Sequence, residues 1–230
     1  PFFYLFTRFN GFRMPLSREL LKRIGVYPIR DHFYEPLFND KRLKKPLNQK
    51  RNLPGINLRE EAQLELLKNL NYSEEIKEQE WNVPKKNLAD FYLGNNVFES
   101  GDAEYLYQII RYFKPRRVIE IGSGFSTKIV SKALQVNKTC DQYEFNHICI
   151  EPYLHSWLKK LDITLIKELV EECDLNIFRE LEENDLLFID SSHIIRPQGD
   201  VLFEYLEILP ILKKGVIIHV HDILTPRDYP

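Results

Sequence analysis

Five short apolar runs recur in the last 130 or so residues of this 230-residue chain: Val118–Ile121, His147–Ile150, Ile163–Ile166, Leu186–Ile189 and Val216–Val220. Each is a few residues long and nearly continuous, which suits a strand covered on both faces. Amphipathic helical patterns separate them. Leu106, Ile109, Ile110 and Phe113 share one face of a helix that Ser100 or Asp102 can cap and Pro115 ends. Ile129, Val130, Ala133 and Leu134 form the stripe of the next. Pro152–Leu161 suits a short helix, and Val201, Leu202, Tyr205, Leu206 and Leu209 share a face of another. Alternation of this kind predicts an α/β fold, a doubly wound and mostly parallel sheet with helices on both faces, because right-handed crossovers place helices on either side.

Residues 1–99 follow a different pattern. The first 56 or so are rich in proline, aromatic and basic residues. Asn57-Leu58-Arg59-Glu60 has the spacing of a capping box, with leucines 64, 67 and 70 following at helical intervals. Pro84 and Gly94-Asn95-Asn96 then break the pattern. The expected organisation is a mainly helical or irregular appendage over 1–99, shaping or covering an acceptor site, and a sheet domain over 100–230.

Charge and cysteine usage narrow the partners. Lys plus Arg is 32 and Asp plus Glu is 34, a net charge of −2, so no global field favours nucleic acid. The basic run Lys41-Arg42-Leu43-Lys44-Lys45 with Lys50-Arg51 is expected to be a solvated surface loop. Cys140, Cys149 and Cys173 form no CxxC pair and are read as reduced thiols of a cytoplasmic protein. No apolar run is long enough for a bilayer. Phe2–Phe6 is too short for an anchor or a signal peptide, so no membrane partner is expected.

The turn after the first run, Glu120-Ile121-Gly122-Ser123-Gly124-Phe125-Ser126-Thr127, brings bare backbone to the start of a helix. A dinucleotide site would want a third glycine where Thr127 stands. An acid before the first glycine would also repel a diphosphate, whereas it suits a ligand amine. Glu151, after the second run, can accept from both hydroxyls of a ribose. An amine, a ribose and no diphosphate describe S-adenosylmethionine.

The pattern Glu120-x-Gly122-x-Gly124 with Glu151 resembles the class I S-adenosylmethionine-dependent methyltransferases, which share a Rossmann-like sheet, over residues 100–230. The resemblance implies that Glu120 holds the methionine amino group, that Gly122, Gly124 and Ser126 lie against the cofactor, and that Glu151 binds its ribose. The gap from Gly124 to Glu151 is long for that family, and Val136–Asn146 is read as a loop insertion. Such sheets continue with two further strands, so this one is expected to be truncated after the fifth: either the natural protein is longer, or the edge is covered by the N-terminal segment or by a partner, as in a homo-oligomer.

Four strands end in or beside an acid: Glu120, Glu151, Asp190 and Asp222. Asp190-Ser191-Ser192-His193 and the later His221-Asp222 resemble metal-assisted O-methyltransferases of the same class, including those acting on macrolide sugars. That resemblance implies His193 as base, with Asp190 beside it, and a divalent cation such as magnesium on Asp190 and Asp222. His221 stands where that group has an acid, and imidazole ligation favours a transition metal. Alternation puts His219 and His221 on one side of the fifth strand, with His219 read as structural. The expected acceptor is a small-molecule or glycan-type hydroxyl. The rival readings are a nicotinamide-dependent oxidoreductase and a non-catalytic cofactor-binding domain.

Overall fold

The computed structural model describes residues 20–26, 43–83, 85 and 87–228. Phe2–Phe6, Lys41-Arg42 and Pro84 lie outside the described residues. The chain divides into two compact units, Pro1–Pro54 with Leu224–Pro230, and Gly55–Ile223. In the first, Arg51 pairs with Asp228, and the Asp228 N–H donates to the Leu47 carbonyl at 3.1 Å. The described part of the basic run, Leu43 to Lys45 with Lys50 and Arg51, is exposed, as a surface loop requires.

Among the described residues the larger unit contains five strands: β1 (Arg117–Ile121), β2 (Asn146–Ile150), β3 (Thr164–Ile166), β4 (Leu186–Ile189) and β5 (Ile217–Val220). Their order is β3-β2-β1-β4-β5, and every neighbouring pair is parallel. Its helices are α1 (Glu60–Asn69), α2 (Ser73–Glu78), α3 (Asp102–Phe113), α4 (Phe125–Asp141), α5 (Asn176–Arg179) and α6 (Asp200–Phe203). One core packs Leu106 and Ile110 of α3 and Ile129, Val130, Ala133 and Leu134 of α4 against Val118 and Phe188. The opposite face of the sheet buries Ile119, Ile121, Ile150, Leu187 and Ile189 against Phe178 and Ile208. The expected doubly wound parallel sheet is therefore present.

Part of the segment read as an appendage is core. Trp81, Phe91 and Phe98 are buried in the cluster of α3 and α4, and Trp81 meets Phe91 and Tyr107 edge-on at 5.1 and 5.8 Å. Arg111 of α3 grips both oxygens of Glu75 on α2, at 2.7 and 2.9 Å, and the Tyr107 hydroxyl donates to the same carboxylate at 3.0 Å. This fork pins the N-terminal residues 73–78 to the sheet domain.

Local expectations shift in four places. Helix α1 starts at Glu60 with Arg59 in the left-handed conformation, while Asn57 accepts the Arg59 N–H in a local turn instead of a capping box. Leu64 and Leu67 are exposed; only Leu70 of that stripe is buried. Gly101 is the cap of α3, and its N–H donates to Glu104 at 2.6 Å. The stretch read as an insertion is mostly the last turns of α4, where buried Asn137 donates to the Ile110 carbonyl at 2.9 Å and so earns its place in a helix interior.

Strand order reverses between β2 and β4 on either side of β1, so a crevice opens beyond the ends of β1 and β4. Gly122 sits there with φ +86°, and a Cβ on it would lie 2.1 Å from the Asp190 carbonyl oxygen. Only glycine meets both demands. Gly122→Ala is expected to lower stability by roughly 2 kcal/mol or more, from strain plus overlap with backbone. Chemical denaturation checks this; Gly124→Ala, whose Cβ would meet nothing within 4 Å, should cost far less.

Candidate functional site

The loop from β1 to α4 is tied down at each residue. Gly124 is the cap of α4, and its N–H donates to Thr127 Oγ1 at 3.1 Å. The Thr127 hydroxyl donates in turn to Glu120 Oε2 at 2.9 Å. The Ser123 N–H donates to Glu151 Oε2 at 3.0 Å, and the other oxygen of Glu151 accepts the Tyr153 N–H at 2.6 Å. Glu151 thus stands directly against the glycine loop, despite the long sequence gap that separates them.

A cavity of about 360 Å³ lies beyond the ends of β1, β2 and β4. Gly122, Glu151, Tyr153, Val170, Asp190 and Arg196 are among its walls. Glu120 and Ser126 are not: Glu120 is wholly buried and Ser126 nearly so. The resemblance implied a cofactor role for both, with Glu120 often acting through water, and the structure sets both behind the loop. Glu120 spends both oxygens on protein partners, Thr127 and His147. The cavity fits an adenosyl ligand in two respects. The Glu151 carboxylate reaches it as a hydroxyl acceptor, and Gly122 presents bare backbone to its wall.

The far rim gathers the second set of expected residues. His193 Nε2 lies 3.2 Å from Asp190 Oδ1 and 3.8 Å from Asp222 Oδ2. His221 Nδ1 lies 3.4 Å from carboxylate oxygens of both Asp190 and Asp222. Its Nε2 is 3.7 Å from Asp102 of α3, a residue considered from the sequence only as a helix cap. Ligand atoms of Asp190, His193 and Asp222 lie within 4.8 Å of one another, a spacing that can hold a cation. Both His193 and Asp222 adopt positive φ, near +57° and +55°, unusual backbone that turns their side chains back toward Asp190.

Electrostatics sort these groups. Burial raises the Asp190 carboxyl, but contact with His221 and His193 outweighs it and leaves Asp190 below the ordinary range. Proximity to Asp190 raises His221 against the opposing effect of burial. His219, packed on Phe188 at 4.9 Å, is pushed down to about 4 by burial, with the charge of His221 adding to the shift. A neutral ring wedged against an aromatic fits the structural role expected of it.

Two buried acids support the Asp190–His193 loop from below. Asp200 accepts from the Ser192 N–H and hydroxyl, both at 2.8 Å. Glu204 accepts from the Ser191 hydroxyl at 3.2 Å. The helix expected here to bury Tyr205 and Leu206 widens into a π-helical stretch, Glu204–Ile208, which leaves both exposed and turns Glu204 and Ile208 inward. Acids spaced four apart were thereby hidden from an apolar-stripe reading.

Burial pushes Glu204 up to about 7, against the opposing Ser191 hydrogen bond. Between the ordinary value of 4.5 and about 7, the native state holds a proton that the unfolded chain has released. Stability should therefore fall as pH rises through that window. Glu204→Gln should flatten the decline, by on the order of 2 kcal/mol. Urea unfolding of both proteins across the window measures it; parallel pH profiles would contradict the assignment.

A family match falls on these same residues. Residues 119–223 match the family model described as a methyltransferase domain, from within β1 to just past Asp222. An uncharacterized protein of Archaeoglobus fulgidus is 33% identical over 165 residues, covering 66% of this chain and 73% of that protein. Among solved structures, the SAH-bound methyltransferase PaMTH1 of Podospora anserina aligns over 74% of this chain and 73% of its own, at 17% identity and a TM-score of 0.37. The nicotinamide-dependent oxidoreductase reading is set aside. With the family match laid over the glycine loop, Glu151 and the Asp190 and Asp222 turns, the chain belongs to the class I S-adenosylmethionine-dependent methyltransferases.

Proposed function

We propose that the protein methylates a hydroxyl of a small-molecule or glycan-type acceptor, with His193 as general base. The observation that carries this reading is the contact of His193 Nε2 with Asp190 Oδ1, at 3.2 Å, on the rim of the cavity. Asp190 is ionised, so it accepts from the Nε2–H and leaves the Nδ1 lone pair free. A hydroxyl acceptor placed beside Nδ1 gives up its proton there as its oxygen takes the methyl group.

When bound, S-adenosylmethionine supplies a sulfonium-activated methyl group. Glu151 accepts from its ribose hydroxyls, and Gly122 and Gly124 let the loop backbone approach. Glu120 and Ser126 act from behind the loop. His221 is held by Asp102 and Asp190 and keeps Asp190 charged. A divalent cation would be held by Asp190 and Asp222 with an imidazole beside them, where it would lower the pKa of the acceptor hydroxyl.

Three free cysteines are in keeping with a cytoplasmic enzyme. Among the described residues no helix is long and apolar enough to cross a membrane. Homo-oligomerisation is proposed as the means of covering the edge of β5, where Ile218 is 44% exposed.

The test is transfer of a labelled methyl group to a panel of hydroxylated acceptors. His193→Ala should lower kcat by about 100-fold or more with S-adenosylhomocysteine affinity unchanged. Equal loss of affinity and turnover would make His193 structural instead. Chelation of divalent cations should suppress transfer if Asp190 and Asp222 hold one.

A further inference from the structure

Behind the glycine loop lies a buried polar network that the reaction itself does not use. His147 of β2, Glu120 of β1 and Thr127 of α4 are at most 2% exposed. Glu120 lies opposite Cys149 in the parallel register, and His147, two residues before Cys149, points to the same face of the sheet. His147 Nε2 bonds Glu120 Oε1, and Cys149 Sγ lies 3.5 Å from the same nitrogen. Burial raises the Cys149 thiol, so it stays protonated and adds no second charge.

A carboxylate in such a place is unfavourable unless each oxygen is satisfied. Oε2 is satisfied by Thr127 and Oε1 by His147. His147 Nδ1 is buried without a partner, so a proton on Nε2 alone is the least costly form of the ring. That tautomer can only donate to Glu120. The contacts then converge on Glu120: His147 donates to one oxygen and the Thr127 hydroxyl to the other, while the Gly124 N–H donates to Thr127 Oγ1 at 3.1 Å.

We infer that His147 is a positioning residue for the cofactor loop, which it holds through Glu120 and Thr127, resting on the reading of that loop as the S-adenosylmethionine site. Remove the imidazole, and Glu120 loses the partner of one oxygen. Its carboxylate is then free to turn, the Thr127 hydroxyl loses its fixed acceptor, and the Gly124 N–H loses its anchor. The cost falls on cofactor binding. The Asp190–His193 rim has its own supports, Asp200 and Glu204, on the opposite face of the sheet.

The experiment titrates S-adenosylhomocysteine into the whole protein and follows methyl transfer at saturating cofactor. His147→Leu is expected to raise the Kd by about tenfold or more while kcat changes by less than about twofold. His147→Gln, whose amide can reach Glu120 from a similar position, should recover most of the affinity. If His147→Leu fails to fold, Glu120→Gln/His147→Leu removes the buried charge along with its partner, and the same rise in Kd is expected of it. Thr127→Val interrupts the relay one step later and should raise the Kd likewise. A purely structural His147 would lower the melting temperature and leave the Kd of the folded protein at its wild-type value, which would overturn the inference. Absence of binding by the wild-type protein would overturn the cofactor reading itself, and this inference with it.

Discussion

The close approach of the Asp190 carbonyl to Gly122 is the constraint on which the rest of the site depends. β1 and β4 run side by side in register, and both end at the crevice where strand order reverses. A side chain at Gly122 would force them apart. Without one, the glycine loop and the strand end that carries Asp190 share a backbone contact. Asp190 then orders the far rim by drawing His193 and His221 toward itself. The glycine loop and the Asp190 carboxylate are neighbours because a hydrogen atom stands where a methyl group would otherwise be.

Each half of the crevice is braced from a different face of the sheet. On the side of α3 and α4, Glu120, His147 and Thr127 hold the glycine loop. On the other, Asp200 and Glu204 hold Ser192 and Ser191. Buried acids of this kind contribute little net stability, because desolvation offsets their hydrogen bonds. What they supply is position, and methyl transfer depends on alignment of acceptor and donor. The raised Glu204 and lowered Asp190 carboxyls show burial winning in one case and imidazole contacts in the other.

Much of the sheet was legible because its strands are continuous apolar runs. Leu186–Ile189 was delimited at both ends, and the others differ by no more than one residue at either end. The helix stripes at Ile129–Leu134 and Leu106–Ile110 were legible for the same reason. Polar residues that face inward were harder. Asn137 looked like loop and is helix core; Glu204 falls outside the apolar stripe of its helix and sits under the Asp190–His193 rim; His147 looked like one more strand residue and completes a buried pair. Their roles arise from contacts between elements distant in sequence, which apolar periodicity does not encode. Likewise, Trp81, Phe91 and Phe98 precede the sheet in a stretch with little regular pattern, yet they fill the core beside α3.

The central claim is that the crevice beyond β1, β2 and β4 receives S-adenosylmethionine. Isothermal titration of the folded protein with S-adenosylhomocysteine tests it most directly. Saturable binding at about one site per chain is expected, weakened about tenfold or more by Gly124→Val, whose side chain would project into the open space at the start of α4. A folded wild-type protein that gives no binding heat and no thermal shift with this ligand, or equal affinity in the Gly124→Val variant, would contradict it.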